Sequence, residues 1–439
     1  MVDSLSRALP AITLLGVVLV LAACNRSEPR NTAFDAYHGA YAFGDGDVVV
    51  FTQSGNDCLR YVHFDGRAGR VCADEDLAPS TFVGANYLDG DGPDAVTVTF
   101  SDPRGASVEF SREDGQSQSA ERVPVTAIDA EFTSQGTQLV GRLLIPPGDD
   151  PVPLVVFAHG SSQRAAIPGY REQHFLAANN IATFVFDKRG TGLSGGDYTQ
   201  DFDLLATDVA AGVGEAQSLL GDRLGRTGLM GFSQGGWVAP LAATETPVDF
   251  LIVAYGLAVS PAEEERSEIM QQMRRAGHDD ATVAAAGALA DAAITLADSD
   301  FAVGQEEFAG LKAQAAADGW LSDIAEDNLT AALGQNPVWM VNLVWPLFDV
   351  DTPWRHEPVP IIQSLDIPQL WVLGGGDTEA PSEQTVAILS ALQRDTNRGI
   401  VTAVFPTADH GMIESDGPDA GNRIVDGYYL LVIDFIHGW

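Results

Sequence analysis

A serine between two glycines is the residue of this chain whose surroundings most favour chemistry. Ser233 lies at the centre of Gly-x-Ser-x-Gly at residues 231–235, after an apolar run at 227–230 and before a small-residue segment at 237–243. This order predicts a strand, a sharp turn and a helix, which together lift the serine hydroxyl clear of a sheet. The same turn would leave the backbone N–H of Gln234 available to an oxyanion. The pattern therefore indicates nucleophilic attack on an acyl carbonyl.

The motif needs support from its context, because short glycine patterns are common in this chain. With 45 glycines in 439 residues, the pattern arises by chance in roughly one such chain in four. A second copy at residues 192–196 centres on Ser194. That copy follows a polar loop at 187–191 rather than an apolar strand, so we interpret Ser194 as a turn residue.

A candidate acid and a candidate base follow two later predicted strands. Asp377 comes after the apolar run at 369–374, and His410 after the run at 400–405. Parallel strands bring their carboxyl ends to one edge of a sheet, where the polar groups that follow them gather. A histidine with an ordinary pKa near ~6.5 can take the proton of a serine hydroxyl, and a buried carboxylate can orient its ring.

Two other carboxylates compete with Asp377 for the orienting role. Glu379 lies beyond the end of the predicted strand, and Asp409 is the sequence neighbour of His410. Adjacent side chains usually diverge, so Asp377 is our candidate. Three other histidines, His356, His174 and His437, are interpreted as surface or packing residues.

The elbow and the chain order Ser, Asp, His resemble those of serine hydrolases with the α/β-hydrolase fold, from about residue 131 to the end. Bacterial carboxylesterases with a β-rich N-terminal module and a helical cap are the most similar group. The resemblance implies an esterase that acts on small-molecule esters through an acyl-enzyme, without cofactor or metal. It also implies a second oxyanion donor, the backbone N–H of Ser161, in the turn after the strand at 154–158; His159 in that turn is interpreted as structural.

Alternation of strand and helix patterns supports this fold. Apolar runs of strand length alternate with amphipathic segments such as 170–179 and 204–220, which predicts a mostly parallel sheet covered on both faces. We expect an α/β-hydrolase domain with an eight-stranded sheet, formed by residues 123–256 and 366–439. The predicted strands lie at 139–145, 154–158, 181–187, 227–231, 250–255, 369–374 and 400–405.

One long insertion interrupts the alternation. Residues 257–365 are rich in Ala, Glu and Asp with helical periodicity, and they end in an aromatic tract. We predict a helical cap over the catalytic edge of the sheet. The aromatic side chains of the tract either line an acyl pocket or pack the cap onto the sheet; they are Trp339, Trp345, Phe348 and Trp354.

A β-rich module is predicted at residues 37–122, with strand-like runs at 47–51, 58–64, 95–100 and 106–110, and a linker-like segment at 112–122. In an oxidising compartment its two cysteines, Cys58 and Cys72, would form a disulfide. Two buried free thiols are the alternative. A zinc site is disfavoured because no further Cys or His cluster accompanies them.

The N-terminal segment is interpreted as a targeting signal rather than as part of the fold. An apolar run at 8–23 follows Arg7 and is too short to span a membrane. It ends on Leu-Ala-Ala-Cys, which resembles the lipobox before the lipidated cysteine of bacterial lipoproteins. We expect a signal peptide at 1–23, a lipid anchor on Cys24 with a tether at 24–36, and, from Asn25, retention at the periplasmic face of the outer membrane.

Charge excludes one class of partner. The formal net charge is −37 and only two lysines occur, so binding to nucleic acid is excluded and strongly anionic substrates are disfavoured. The acidity is typical of a GC-rich genome with a solvated surface, and adaptation to salt is the alternative.

Two functional alternatives also stay open: a peptidase or acyl-aminoacyl hydrolase of the prolyl-oligopeptidase type, and a catalytically silent binding lipoprotein. The β module could in addition bind glycan or a partner protein.

Overall fold

The computed structural model describes residues 34–85, 88, 96–112, 115–325, 328–345, 350–380, 382–396, 399–415 and 422–438. The predicted signal peptide, Cys24 and Asn25 lie outside the described residues. Of the predicted tether at 24–36, only the last three residues are described. There the ring of Phe34 packs edge-on against Phe82, with ring centroids 5.1 Å apart.

The N-terminal module is a closed antiparallel barrel in which each strand pairs with the next and the eighth pairs with the first. Its interior is filled by large apolar side chains, among them Tyr41, Phe51 and Phe100. The strands are β1 (Gly39–Phe43), β2 (Val48–Gln53), β3 (Cys58–His63), β4 (Ala68–Ala73), β5 (Thr81–Ala85), β6 (Val96–Phe100), β7 (Ser107–Arg112) and β8 (Ser117–Arg122).

The predicted linker at 112–122 is wrong. Residues 117–122 form β8, which closes the barrel by pairing with β1, with Phe43 opposite Ala120. In β8 only Ala120 is buried, and the Ser, Gln and Glu side chains face solvent. This polar outer face made the strand resemble a linker, whereas pairing partners on both sides of β8 hold it in place. The predicted disulfide is present and joins Cys58 to Cys72, which lie opposite each other on β3 and β4.

The predicted α/β sheet is confirmed, with eight strands in the order β16-β15-β14-β13-β11-β12-β10-β9. Strand β10 runs antiparallel to both of its neighbours, and all the other neighbouring pairs are parallel. Strands β12, β14 and β15 are buried along their whole length, because helices or the barrel cover both faces of the sheet. The strands are β9 (Thr126–Ser134), β10 (Thr137–Ile145), β11 (Val152–Ala158), β12 (Ala182–Phe186), β13 (Leu224–Phe232), β14 (Phe250–Ala254), β15 (Gln369–Gly374) and β16 (Ile400–Phe405). A small hairpin, β17 (Ile413–Ser415) and β18 (Asn422–Ile424), follows.

Helices cover the sheet on both faces and form the cap. They are α1 (Glu172–Ala178), α2 (Phe202–Leu220), α3 (Gly235–Glu245), α4 (Pro261–Arg275), α5 (Asp280–Asp298), α6 (Gln305–Asp318), α7 (Leu329–Gln335), α8 (Val338–Val344), α9 (Pro358–Ser364), α10 (Ser382–Thr396) and α11 (Tyr428–Gly438). Helices α2, α3, α9 and α10 share one hydrophobic core with the sheet. Helices α1 and α11 cover the other face, together with outward-facing barrel residues such as Val50 and Val62.

The cap consists of helices α4 to α8, inserted between β14 and β15, with a hydrophobic core of its own. Helix α5 is long and apolar enough to span a membrane by length and composition. However, side chains such as Leu289, Ala293 and Leu296 are buried against the neighbouring cap helices. The apolar composition of α5 is therefore that of a buried core helix.

Candidate active site

Ser233 lies on a strained turn between β13 and α3. Its φ is +51°, in the left-handed region that non-glycine residues rarely adopt. A β-carbon on Gly231 would lie 2.1 Å from the carbonyl oxygen of Gly235, and one on Gly235 would lie 2.2 Å from the carbonyl oxygen of Ala158. Both flanking glycines are therefore required by close backbone packing.

The structure brings the three predicted side chains into one hydrogen-bonded chain. Nε2 of His410 lies 2.9 Å from Oγ of Ser233, and Nδ1 of His410 lies 2.9 Å from Oδ2 of Asp377. With Nδ1 protonated, the ring donates to Asp377 and accepts from the serine hydroxyl. This is the geometry of a nucleophile, a base and the group that orients the base.

The carboxylate of Asp377 is held rigidly at the end of β15. It is 4% exposed, and its Oδ1 accepts hydrogen bonds from the backbone N–H groups of Glu379 and Ala380 at 3.0 and 2.8 Å. Glycines at 374–376 let this loop touch the loop that carries His410: the N–H of Gly376 donates to the carbonyl of Ala408 at 2.9 Å.

The two competing carboxylates take other positions. Oε2 of Glu379 lies 4.0 Å from Nε2 of His410, the nitrogen that faces Ser233, and its side chain is 66% exposed. Oδ1 of Asp409 accepts from the backbone N–H of Ile413 at 3.0 Å. Asp377 alone among the three reaches Nδ1 of His410.

Charge around His410 favours the imidazolium ion. Burial by itself lowers the pKa of His410, but the hydrogen bond and charge of Asp377, with the charge of Glu379, raise it above its ordinary value. A base that gains proton affinity from a neighbouring carboxylate accepts the serine proton more readily, because the charged form is stabilised where it is made.

The two predicted oxyanion donors lie beside the serine. Ser161 and Gln234 both line the cavity at Ser233, and the Cα of Gly160 faces the serine so closely that a β-carbon there would lie 3.5 Å from Cβ of Ser233. Within the described part of the chain, neither backbone N–H donates to another group. Two unengaged N–H groups beside a nucleophile suit a developing oxyanion.

Three side chains hold the Ser161 loop, and the sequence pattern indicated none of them. Nζ of Lys188 donates to the carbonyl of Gly160 at 2.8 Å, the hydroxyl of Tyr170 accepts from the N–H of Gly160 at 3.2 Å, and the hydroxyl of Tyr198 donates to the carbonyl of Ser161. Burial lowers the pKa of Lys188 to about 7. The available signal for Lys188 was a lysine two residues after the end of the buried strand β12.

Ser194, His159 and His174 lie in structural positions. The Ser194 hydroxyl donates to the carbonyl of Asp187 at 2.5 Å and accepts from the N–H of Val140 at 2.9 Å. His159 is buried edge-on against Phe186, and burial together with the charge of Lys188 lowers its pKa to about 3. Burial likewise lowers the pKa of His174 to about 3.

The cavity in front of Ser233 has a volume of about 250 Å³ and lies between the sheet edge and the cap. Its aromatic wall is formed by Phe202, Trp237 and Trp354. The aromatic tract of the cap therefore divides: Trp354 lines the cavity, Trp345 packs on Phe301 inside the cap, and Trp339 is exposed. Phe348 lies outside the described residues.

Comparison with known proteins agrees with this architecture. The sequence profile of the Alpha/beta hydrolase family matches residues 155–422, more than half of the chain. Curated proteins give no match. Similar solved structures include an esterase from Pyrococcus furiosus, 16% identical with a TM-score of 0.45, over 72% of this chain and 92% of that one. An acylaminoacyl peptidase from Pyrococcus horikoshii is 14% identical with a TM-score of 0.45, over 92% of this chain and 57% of that one. A puromycin-hydrolyzing peptidase from Mycobacterium tuberculosis is 16% identical with a TM-score of 0.41, over 85% and 50%. By the extent of the profile match, and as its resemblance to serine hydrolases predicted, the chain belongs to the alpha/beta hydrolase family.

Proposed function

We propose that this protein is a serine hydrolase that cleaves carboxylic esters through an acyl-enzyme, with Ser233 as nucleophile, His410 as base and Asp377 as the group that orients the base. The observation that carries the proposal is the unbroken hydrogen-bonded chain from Asp377 through His410 to Ser233, at the wall of a cavity large enough for a small substrate. No cofactor is needed for this reaction.

The proposed reaction follows from the positions of these groups. Oγ of Ser233 attacks the ester carbonyl while Nε2 of His410 takes the hydroxyl proton. The carbonyl oxygen becomes an oxyanion beside the N–H groups of Ser161 and Gln234. His410 then gives its proton to the leaving alkoxide, which departs as an alcohol and leaves an acyl-serine. A water molecule, deprotonated by His410, releases the acid and restores the serine.

Substitution of the three side chains tests the proposal. Ser233→Ala and His410→Ala should lower kcat on a nitrophenyl acyl ester by about 10⁶-fold, and Asp377→Asn by about 10⁴-fold, because the wrong imidazole tautomer would face the serine. A fluorophosphonate should label the native protein at Ser233, as shown by peptide mass spectrometry.

Ser194→Ala is the matched control, since it removes the serine of the second Gly-x-Ser-x-Gly copy. It should still be labelled and active. Labelling at Ser194 instead of Ser233 would refute the proposed nucleophile. No labelling at all would favour a silent binding protein. Faster turnover of an N-acyl-aminoacyl anilide than of the ester would instead favour the peptidase alternative.

We further propose that Cys24 carries a lipid that anchors the protein at the periplasmic face of the outer membrane. The support is the lipobox-like sequence before Cys24 and the Asn25 that follows it. In the native host, Cys24→Ser should move the protein from the membrane fraction, and an unmodified Cys24 in the mass spectrum of the native protein would rule the anchor out.

A further inference from the structure

Acidic side chains dominate the cavity in front of Ser233. Three of them, Glu264, Glu265 and Glu268, project from cap helix α4, and Glu379 comes from the loop after β15. Among the described residues that line the cavity there is no Lys or Arg. The acids do not form a metal site, because the described part of the chain contains no group of three or more His, Cys, Asp or Glu placed to hold an ion.

The four carboxylates differ in what already binds them. Glu265 is engaged by the start of α7: its Oε1 accepts from the backbone N–H and the hydroxyl of Thr330 at 2.7 and 2.6 Å. Glu268 accepts from Nε2 of Gln272 at 2.8 Å, and Glu379 is mostly exposed. None of the described residues donates a hydrogen bond to the carboxyl of Glu264, which is therefore the acid available to a ligand.

A second residue that lines the cavity carries a polar side-chain atom without a described partner. Gln234 is 4% exposed, lines the cavity, and its Oε1 accepts no hydrogen bond from any residue that the structure describes. Buried amide oxygens are nearly always hydrogen-bonded, so this one is suited to a donor on the substrate.

We propose that the cavity selects substrates that carry a protonated amine close to the scissile carbonyl, that is, aminoacyl esters or amides with a free amino group, with Glu264 as counter-ion and the side-chain oxygen of Gln234 as an N–H acceptor. This inference rests on the proposed hydrolase function of Ser233. An ammonium group supplies both the positive charge and the donors that these side chains lack.

The electrostatic environment of Glu264 favours the binding of an amine. Burial, together with the charges of Glu265, Asp377 and Glu379, raises the pKa of Glu264 to about 8 against the opposing charge of His410. Glu264 and His410 line the same cavity, so an amine bound to Glu264 would lie near the reacting bond. An empty cavity would hold Glu264 largely protonated at pH 7, and a bound ammonium would displace that proton.

Binding to protein that cannot turn substrate over tests the inference without relying on catalysis. Ser233→Ala protein is titrated by calorimetry at pH 7 with alanine benzylamide, which has a free amine, and with N-acetylalanine benzylamide, which has none. We expect the free amine to bind at least about tenfold more tightly and to release about one proton to the buffer, seen by comparing two buffers.

Variants in α4 identify the group responsible. On the Ser233→Ala background, Glu264→Gln should weaken binding of the amine at least about tenfold and abolish proton release. Glu263→Gln is the matched control, because it removes a charge from the adjacent residue, which does not line the cavity, and it should change neither. Equal affinity for the two amides, or equal losses in both variants, would overturn the inference.

Turnover by the native protein separates this inference from the proposed function. Alanine benzyl ester should be cleaved with a higher kcat/KM than N-acetylalanine benzyl ester. Preference for the acetylated ester, with Ser233 labelled by a fluorophosphonate, would overturn the amine inference and leave the hydrolase function standing. Tight, Glu264-dependent binding of the amine without labelling or turnover would support the amine site and refute the hydrolase function.

Discussion

In the proposed mechanism, the reactivity of Ser233 depends on the proton affinity of His410. His410 must be neutral to take the serine proton, yet it lies beside Asp377 and faces further carboxylates, which raise its pKa above the ordinary value. As the pH falls through that raised pKa, the ring is protonated and can no longer act as a base. The same carboxylates that stabilise the imidazolium during attack therefore restrict activity to higher pH.

The acidic limb of the kcat/KM profile should accordingly lie above the ordinary histidine value of about 6.5. Glu379→Gln removes a charge 4.0 Å from Nε2 of His410, so it should move the limb to lower pH, and added salt should weaken this shift because the Glu379 side chain is exposed. Glu383→Gln, at the exposed start of α10, should leave the limb in place. A limb at or below about 6.5 in the native protein would contradict this account.

Among the structural elements, the strand–turn–helix unit around Ser233 depends on close backbone approach. The turn forces φ of Ser233 into the left-handed region, and this strain persists because β13 and α3 are both packed into the sheet core. Gly231 and Gly235 allow the turn to fold back on itself and on β11, since a side chain at either position would overlap a carbonyl oxygen.

Gly231→Ala should therefore lower the free energy of unfolding by about 3 kcal/mol or more, because its methyl group would overlap the Gly235 carbonyl and the backbone would have to move. Gly214→Ala is the control. Gly214 lies on the exposed side of α2, where an added methyl group would meet no other atom within 4 Å, so alanine should stabilise the protein by about 0.5–1 kcal/mol. Urea denaturation measures both; a loss below about 1 kcal/mol for Gly231→Ala would show that the turn can relax.

At the level of domains, the barrel and the hydrolase sheet share one hydrophobic core. The ring of Phe64, just after β3, packs against Phe175 of α1 and Tyr429 of α11, with centroids 5.8 and 6.2 Å apart. The N–H of Ile424 also donates to the carbonyl of Gly66 at 2.9 Å. Domains joined by buried apolar contacts and backbone hydrogen bonds are expected to unfold together.

Calorimetry should therefore show one unfolding transition for the barrel and the hydrolase domain. Phe64→Ala removes part of the shared core and should lower the free energy of unfolding by about 2 kcal/mol while the transition remains single. Two separate transitions, with only the barrel transition displaced by the substitution, would show that the domains fold independently.

Local sequence signals were sufficient to predict the candidate site residues at the strand ends, but they did not identify every strand. Ser233, Asp377 and His410 each follow an apolar run, and parallel strands with a common edge bring them within hydrogen-bonding distance. By contrast, β8 has a polar outer face and pairs with β1, far away along the chain, so no nearby pattern identified it as a strand.

Dependence on contacts between distant segments also explains why the sequence pattern did not indicate two residues of the candidate site. Lys188 stands between two charged residues in what reads as a polar loop, and its contact with Gly160 depends on how β11 and β12 lie side by side. Glu264 belongs to a charged helix face of the kind that normally meets solvent. It becomes a cavity residue because the cap lies over the sheet edge.

The amino-acid order alone was enough to predict the sharp turn at Ser233, the order of the candidate nucleophile, acid and base, and the strand–helix alternation of the domain. Each of these depends on residues a few positions apart, so local backbone conformation and burial periodicity encode it. Only the tertiary structure showed three other features. These are the closure of the barrel, the side chains that hold the Ser161 loop, and the glutamates of the cap that line the cavity. They join segments that are distant in the chain, and such contacts form because the packing of the entire core compensates the entropy of closing long loops, which no short segment records.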